Sequence, residues 1–373
     1  MGGFHTFAPN KNTIIAARSD TSEYDTLSCT TVTMAELMKA WQLPSPGHFE
    51  THMVLNESLP RPTKDALKSG QIIIRVVSVS INPADYKAPL MGFFSRLALS
   101  YPKTLGMDLA GQVVAVADGV SDVTVGDSVV AFLTPLRHAD GALSEYVVAG
   151  HDEYAPLAPD TDLDQASGLG VAALTAYQTI KPHVKAGDRV FLNGGSGGTG
   201  TYGIQVAKLL GCHVTVTCST AKVALCKGLG ADETIDYRKV DVIQALKDSG
   251  SYDLVVDLVG NSPSNLYISS PAFMNPRGKF VWVADSASLK NLPRLIEAFL
   301  RPSFLGGGRN KLLMYLTYTN REDLEQLAQW VVQGKLRTAV DSTYEFEDVR
   351  GAFRQLAKGS AAGKVIVHVS SKQ

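Results

Sequence analysis

The sequence predicts a two-domain α/β protein in which a β-rich domain leads into a doubly wound parallel sheet. Three observations carry this expectation. From residue 38 to about 160, short β-type runs alternate with Gly, Pro and Asp turns. From Asp188 onward, strand-like and helix-like stretches alternate at the spacing of repeated βαβ units. A glycine-rich turn, Asn193-Gly-Gly-Ser-Gly-Gly-Thr-Gly200, sits at the first strand-to-helix junction of that series. With 373 residues, 45% of them hydrophobic, the chain is long enough for two cores.

The elements follow in order. Residues 1–33 are rich in Ser and Thr, carry Asp20, Glu23 and Asp25, and lack an apolar stretch of signal-peptide length. Their acids do not suit a transit peptide, so a flexible extension is expected. Folding is expected to begin near Met34, with a first strand at 38–42 and further strands at 72–80, 111–117, 128–133 and 144–148. A helix is expected over 166–180. Strands are expected at 189–193, 213–218, 234–235, 252–258 and 278–284, with helices at 202–210 and 221–229 between them. After Gly306-Gly-Gly308 come a strand at 312–318, an amphipathic helix at 321–333 and a last strand at 364–368. The domains expected are 34–160 with 310–373, and 161–309.

Lys plus Arg (35) nearly balance Asp plus Glu (36), which gives no broad attraction to nucleic acid or an anionic membrane. An apolar small-molecule partner fits better. The apolar runs at 72–79 and 254–259 fall far short of the roughly 20 residues of a membrane span. Cys29, Cys212, Cys218 and Cys226 form no CxxC pair, so free thiols in a reducing, cytoplasmic compartment are expected.

The glycine turn has the strand-turn-helix context of a dinucleotide phosphate site. Glycines permit close approach of backbone to pyrophosphate, and the helix N-terminus offers free N–H groups. Gly195, Gly197 and Gly200 take the three glycine positions, and Ser196, Gly198 and Thr199 complete the loop. About 20 residues on, where an NAD enzyme places an acid for the ribose 2′-hydroxyl, stands Cys218-Ser-Thr-Ala-Lys222. Ser219, Thr220 and Lys222 suit a 2′-phosphate, so NADPH is expected. Strand ends in a doubly wound sheet face the ligand crevice, which adds Tyr237, Val259, Gly260 and Val283 as cofactor contacts.

Several segments together resemble one family. Ile81-Asn-Pro-Ala-Asp-Tyr-Lys87 resembles its NPxDxK motif, Leu105-Gly-Met-Asp-Leu-Ala-Gly111 its GxDxxG motif, and Gly141-Ala-Leu-Ser-Glu-Tyr146 its Gxx[SA]EY motif. Ala173-Leu-Thr-Ala-Tyr177, the glycine turn and Leu229-Gly-Ala-Asp-Glu-Thr-Ile-Asp-Tyr237 follow in the same order. The chain is similar, over about 38–369, to the zinc-independent medium-chain reductases, which include quinone oxidoreductases and fungal enoyl reductases. The resemblance implies a GroES-like β-rich catalytic domain split around a Rossmann domain, with the active site between them. It also implies a catalytic or cofactor-positioning role for Lys87, with Tyr86 as a second candidate. Asn82 and, in Ala361-Ala-Gly-Lys364, Lys364 become candidate cofactor contacts.

Zinc-dependent relatives carry a Gly-His-Glu segment where this chain has Gly106-Met-Asp108, so Met107 replaces a ligand. No cysteine lies between residues 38 and 211, and no metal is expected. Without a Lewis acid, the chemistry best suited to the site is hydride delivery from NADPH to an enone, enoyl or quinone acceptor. Asp108 is expected to bond backbone in a turn, Tyr177 to be core, and His138, His151 and His183 to be surface or loop groups. Phe93, Phe94, Leu97 and Leu99 read as a core helix, with a hydrophobic substrate mouth as the alternative.

Trans-acting enoyl reductases of natural-product biosynthesis have a related plan but usually read Gly-Gly-Ser-Thr-Ala-Thr-Gly at the loop. Gly197-Gly198 here favours a stand-alone reductase over a tailoring enzyme. A non-catalytic NADPH-binding sensor or interaction protein, monomeric or homodimeric like the enzyme, is the rival of another class.

Overall fold

The computed structural model describes residues 36–91, 93–134, 140–260, 262–283 and 310–371. The expected extension 1–33, Cys29, His138 and the Gly306-Gly-Gly308 turn lie outside them. β1 (Leu37–Leu43) lies between β2 (Val54–Pro60) and β4 (Lys103–Thr104) in a three-stranded antiparallel sheet. β3 (Ile72–Ile81) is the longest run of β-branched residues in this half and is buried along nearly its whole length. It can be so only at a sheet centre, and it pairs with β5 (Asp108–Val116), β7 (Tyr146–Ala149) and β16 (Lys364–His368). β6 (Ser128–Phe132), β8 (Tyr154–Pro156) and β15 (Val340–Glu345) complete a seven-stranded sheet.

The second sheet has six strands, all parallel. Its order is β11 (Glu233–Asp236), β10 (His213–Cys218), β9 (Arg189–Asn193), β12 (Tyr252–Asp257), β13 (Met274–Val283), β14 (Lys311–Tyr315). Strand order reverses between β9 and β12, and in a doubly wound sheet a ligand crevice opens at the carboxyl ends of the strands there. The α/β class with a GroES-like domain and a Rossmann-like sheet is therefore present as expected. The expected boundary at 309/310 cuts across it, because β14 pairs with β13 from Lys279↔Lys311 to Val283↔Tyr315. Leu312 and Leu313 complete the apolar sheet.

The expected helix over 166–180 is broken. α4 (Leu163–Ser167) is capped by Asp162, five residues of π-type turn follow, and α5 (Leu174–Ile180) resumes the helix. The break is at Gly170, whose φ/ψ of −60°/−110° is not helical. A Cβ there would lie 2.1 Å from the Asp108 carboxylate, which accepts the Val171 N–H at 2.8 Å. A buried acceptor overrides helix propensity at this point. The core-helix expectation also fails in part. α3 (Phe93–Ala98) leaves Leu97 71% exposed, and Leu99 lines a cavity. No helix among the described residues is long and apolar enough to cross a membrane.

One hydrophobic cluster joins the two halves, with Val77, Met107 and Phe132 of the catalytic sheet meeting Leu169, Tyr177, Val190 and Val216. Tyr177 is core, as expected. From the far side, α10 (Arg321–Val332) adds Leu324 and Leu327, and Arg321 reaches Asp122 at 2.5 Å. Asp164 of α4 ties that helix to the catalytic sheet by accepting from Ser78 and from His368 Nε2, the latter at 2.8 Å.

Burial opposes the charge on His368, but the Asp164 hydrogen bond and charge outweigh it, with Glu345 assisting, and raise the imidazole pKa. A raised native pKa stabilises the fold below the ordinary value of about 6.5 and loses that contribution as pH climbs through the native pKa. The loss of thermal midpoint caused by His368→Gln should thus be larger at pH 5.5 than at pH 8.5. Equal losses at the two pH values would contradict the assignment.

Candidate active site

The glycine turn is built by sheet geometry. β9 ends at Asn193, the chain turns through Gly194 to Gly197, and α6 (Gly198–Leu209) begins. A Cβ on Gly195 would meet Val216 at 2.5 Å, and one on Gly200 would meet the Gly194 carbonyl at 2.1 Å. Only glycine lets helix and strand approach so closely. The Gly194 and Gly195 N–H groups donate to the Thr217 hydroxyl and carbonyl at 2.8 and 2.9 Å, which seats the turn on β10. Gly197, Gly198 and Thr199 stay half-exposed at the helix N-terminus, where first-turn N–H groups have no intrahelical partner, and Ser196 is buried beside them.

Asp257, at the end of β12, holds the turn from the other side. Its Oδ1 accepts from Asn193 Nδ2 at 2.8 Å and from the Val259 and Gly260 N–H groups at 3.1 and 3.0 Å. Burial raises its pKa, and these three donors oppose the rise. Val259 and Gly260 are thereby positioned beside the turn, and Val283 ends the neighbouring strand, half-buried.

At the end of β10, Ser219 is nearly buried and starts a short 3-10 turn, Thr220–Lys222. Two of the expected 2′-phosphate residues have partners within the protein. The Thr220 hydroxyl donates to Asp236 Oδ2 at 2.5 Å, so a carboxylate stands beside this strand end after all, one strand over. Lys222 Nζ donates to the Ser360 and Ala361 carbonyls at 2.6 and 3.0 Å. Tyr237 is half-exposed, and its N–H donates to the Cys218 carbonyl at 3.2 Å, which brings it to the same corner.

The NPxDxK turn forms α2 (Pro83–Lys87), with the Asn82 N–H donating to Asp85 Oδ2 at 2.7 Å. Asn82 is buried and its amide is engaged within the protein. Nδ2 donates to Asp108 Oδ2 at 2.9 Å and to the Ser80 carbonyl at 3.2 Å, and Oδ1 accepts from Lys364 Nζ at 2.6 Å. Lys364 is 3% exposed and lies 3.7 Å from Asp108 Oδ2. Both residues were expected as direct cofactor contacts; their polar atoms instead close an internal network. Lys364 still touches the turn, since a Cβ on Gly198 would meet its Cδ at 3.2 Å, and Gly197 bridges Gly363 through the backbone.

Burial raises the Asp108 pKa against Lys364, Asn82 and the Val171 N–H, and burial lowers that of Lys364 against Asp108 and Asp85. Tyr86 was expected near the chemistry. Its ring is half-buried and packs edge-on against Phe49 and Phe353 at 5.8 and 6.2 Å, on the flank of the catalytic domain's core. Lys87 closes α2, half-buried.

Beneath α2 lies a small cavity of about 60 Å³. Ala84, Pro89, Leu99, Leu105, Met107 and Leu133 give it apolar walls, and Asp85, Lys103 and Asp140 are its ionisable groups. Among the described lining residues there is no cysteine or histidine, and Asp108 is bonded to Asn82 and Val171 and lies near the Lys364 ammonium. No group of three or more His, Cys, Asp or Glu that could hold a metal occurs among the described residues. Sequence reasoning missed Lys103 and Asp257. Asp257 had a legible signal, an acid at the crevice end of an apolar strand; Lys103 had none.

Two family models match the chain: "Alcohol dehydrogenase GroES-like domain" over residues 68–160 and "Zinc-binding dehydrogenase" over 229–367. A trans-enoyl reductase, pgmF of Aspergillus terreus, is 38% identical over 353 residues, covering 90% of this chain and 98% of its own. A chloroplastic quinone oxidoreductase, QR1 of Triphysaria versicolor, is 29% identical over 317 residues, covering 83% and 91%. The solved quinone oxidoreductase of Coxiella burnetii superposes with a TM-score of 0.77 at 30% identity, covering 90% of this chain and 100% of that one.

The buried network is testable without any ligand. Lys364→Met leaves the Asp108 carboxyl buried without its counter-charge and should destabilise the fold by about 3–5 kcal/mol, read by denaturant unfolding. Adding Asp108→Leu should recover much of the loss. Strictly additive losses would show that the two groups do not act as a pair.

Proposed function

The chain belongs to the medium-chain dehydrogenase/reductase family, and from that premise we propose that it is an NADPH-dependent reductase delivering hydride to a conjugated carbonyl acceptor (an enone, enoyl or quinone compound) without a metal. The observation that carries the reading is one juxtaposition. The glycine turn meets Gly363 and Lys364, and Lys364 bonds Asn82 at the head of α2, whose Asp85 and Ala84 line an apolar cavity that also holds Lys103 and Asp140. NADPH, when bound, supplies the hydride. The residues that would hold it are the Gly195, Ser196, Gly197, Gly198, Thr199 and Gly200 turn for the phosphates, Ser219, Lys222 and Tyr237 for the 2′-phosphate end, and Val259, Gly260 and Val283 along the crevice.

Lys222 now bonds two neutral carbonyls. A phosphate dianion is a stronger acceptor for an ammonium than a carbonyl, so exchange of partners is favourable. Lys87, closing the turn beneath the crevice, is the residue proposed to position the nicotinamide. The three described cysteines are free thiols, which supports a reducing, cytoplasmic setting. A narrower form of the reading, a trans-acting enoyl reductase that tailors a natural product, draws support from the similarity to pgmF, although Gly197-Gly198 departs from the usual loop of that group.

Purified protein should oxidise NADPH steadily with at least one member of a panel of quinones, enones and enoyl thioesters. Tight NADPH binding without turnover on any of them would favour the sensor reading instead. Lys222→Ala should weaken NADPH by about tenfold or more, the equivalent of a charged hydrogen bond of roughly 1.5–3 kcal/mol, and leave NADH nearly unchanged. Equal effects on the two dinucleotides in fluorescence titrations would remove Lys222 from the 2′-phosphate site.

A further inference from the structure

None of the sequence motifs includes Lys103, yet it is the ammonium group of the cavity beneath α2. Its backbone is fixed, because β4 pairs with β1 through Leu43↔Lys103 and Gln42↔Thr104. Its side chain is 5% exposed, at a wall shared with Leu99, Met107 and Leu133. Two carboxyls face it. Asp85 comes from α2 and is buried; Asp140 comes from the opposite loop and is exposed to water. Lys87 is not among the residues that line this cavity.

We propose that Lys103 is the catalytic acid that protonates the α-carbon of the acceptor after hydride has reached the β-carbon. The inference rests on the reductase reading above and assigns its proton. Hydride brings its electron pair to the β-carbon, and the π electrons move onto the carbonyl oxygen as an enolate. An N–H bond of the Lys103 ammonium then breaks, the enolate pair forms the α-carbon–hydrogen bond, and the carbonyl returns. Lys103, left as a neutral amine, regains its proton from water by way of Asp140. The acceptor gains one hydride and one proton in all.

The electrostatics suit the task. Burial brings Lys103 down to about 8, against the opposing pull of Asp140 and then Asp85. Burial carries Asp85 up to about 7; the Asn82 N–H opposes the rise, Asp108 adds to it, and the charges of Lys364 and Lys103 oppose it. Lys103 therefore carries its proton at neutral pH and yields it more readily than an exposed lysine. As pH rises through that value the acid is lost, so kcat should fall on the alkaline side.

Four readouts test the proposal. Lys103→Met should lower kcat on an enone by about 100-fold or more with NADPH affinity unchanged. In D₂O the wild type should place α-deuterium on one face of the product, and the variant on both. Asp140→Asn, an exposed change that preserves the fold, should move the alkaline limb of the kcat profile to lower pH, because Asp140 raises the Lys103 pKa. Independently of turnover, NMR of protein methylated with ¹³C-formaldehyde should show Lys103 titrating near 8 and lower still in Asp140→Asn. A wild type that turns over alongside an unimpaired, single-face Lys103→Met variant overturns the inference alone, as does a Lys103 titrating like an exposed lysine near roughly 10.4. A wild type without turnover on any acceptor overturns the reductase reading and the inference with it.

Discussion

The contact on which the rest of the structure depends is the buried meeting of Lys364, Asn82 and Asp108. An ammonium at 3% exposure is tolerated only where charge and hydrogen bonds replace its water. Here the Asn82 amide oxygen lies at 2.6 Å and the Asp108 carboxylate at 3.7 Å. Each partner belongs to a different segment. Lys364 opens β16, Asn82 caps α2, and Asp108 opens β5 and reaches across to the Val171 N–H in the break between α4 and α5. The helix break at Gly170 exists because this acceptor occupies the space that a side chain would need.

The same contact sets the geometry of the cleft. The Lys364 side chain lies against Gly198, and the residue before it bridges Gly197. Gly363 holds a φ of +111°, and a Cβ there would stand 1.9 Å from the Ala339 carbonyl, so no larger residue could bring the strand this close to the phosphate turn. The catalytic sheet and the doubly wound sheet are thus registered by one buried cation. The cavity under α2 is left apolar with its own ionisable groups.

Much of the fold was legible in the sequence where burial is one-dimensional. The strands at 189–193, 213–218 and 364–368 are apolar runs stopped by turn residues, and they are found at those bounds. β2 and β15 were not legible, since Val-Leu-Asn-Glu-Ser-Leu-Pro and Val-Asp-Ser-Thr-Tyr-Glu are exposed edge strands with little apolar alternation. At the site, the glycine turn could be read because its spacing is local. The cross-segment partners of Lys222, Asn82 and Lys364 could not, because they lie 26 to more than 280 residues away, such as Asp108 for Asn82, Asn82 for Lys364 and Ser360 for Lys222. Tyr86 shares a motif with Lys87 but leaves the helix on the side that meets Phe49 and Phe353.

The most direct test of metal-free hydride delivery is isotopic. NADPH carrying deuterium at the transferring position of its nicotinamide is incubated with an enone and protein exhaustively treated with a strong chelator. The product is analysed by mass spectrometry and NMR. One deuterium at the β-carbon, formed at the rate of untreated protein, is the expected result. A chelated protein that loses turnover and regains it with zinc, or a product without β-deuterium, would contradict the mechanism.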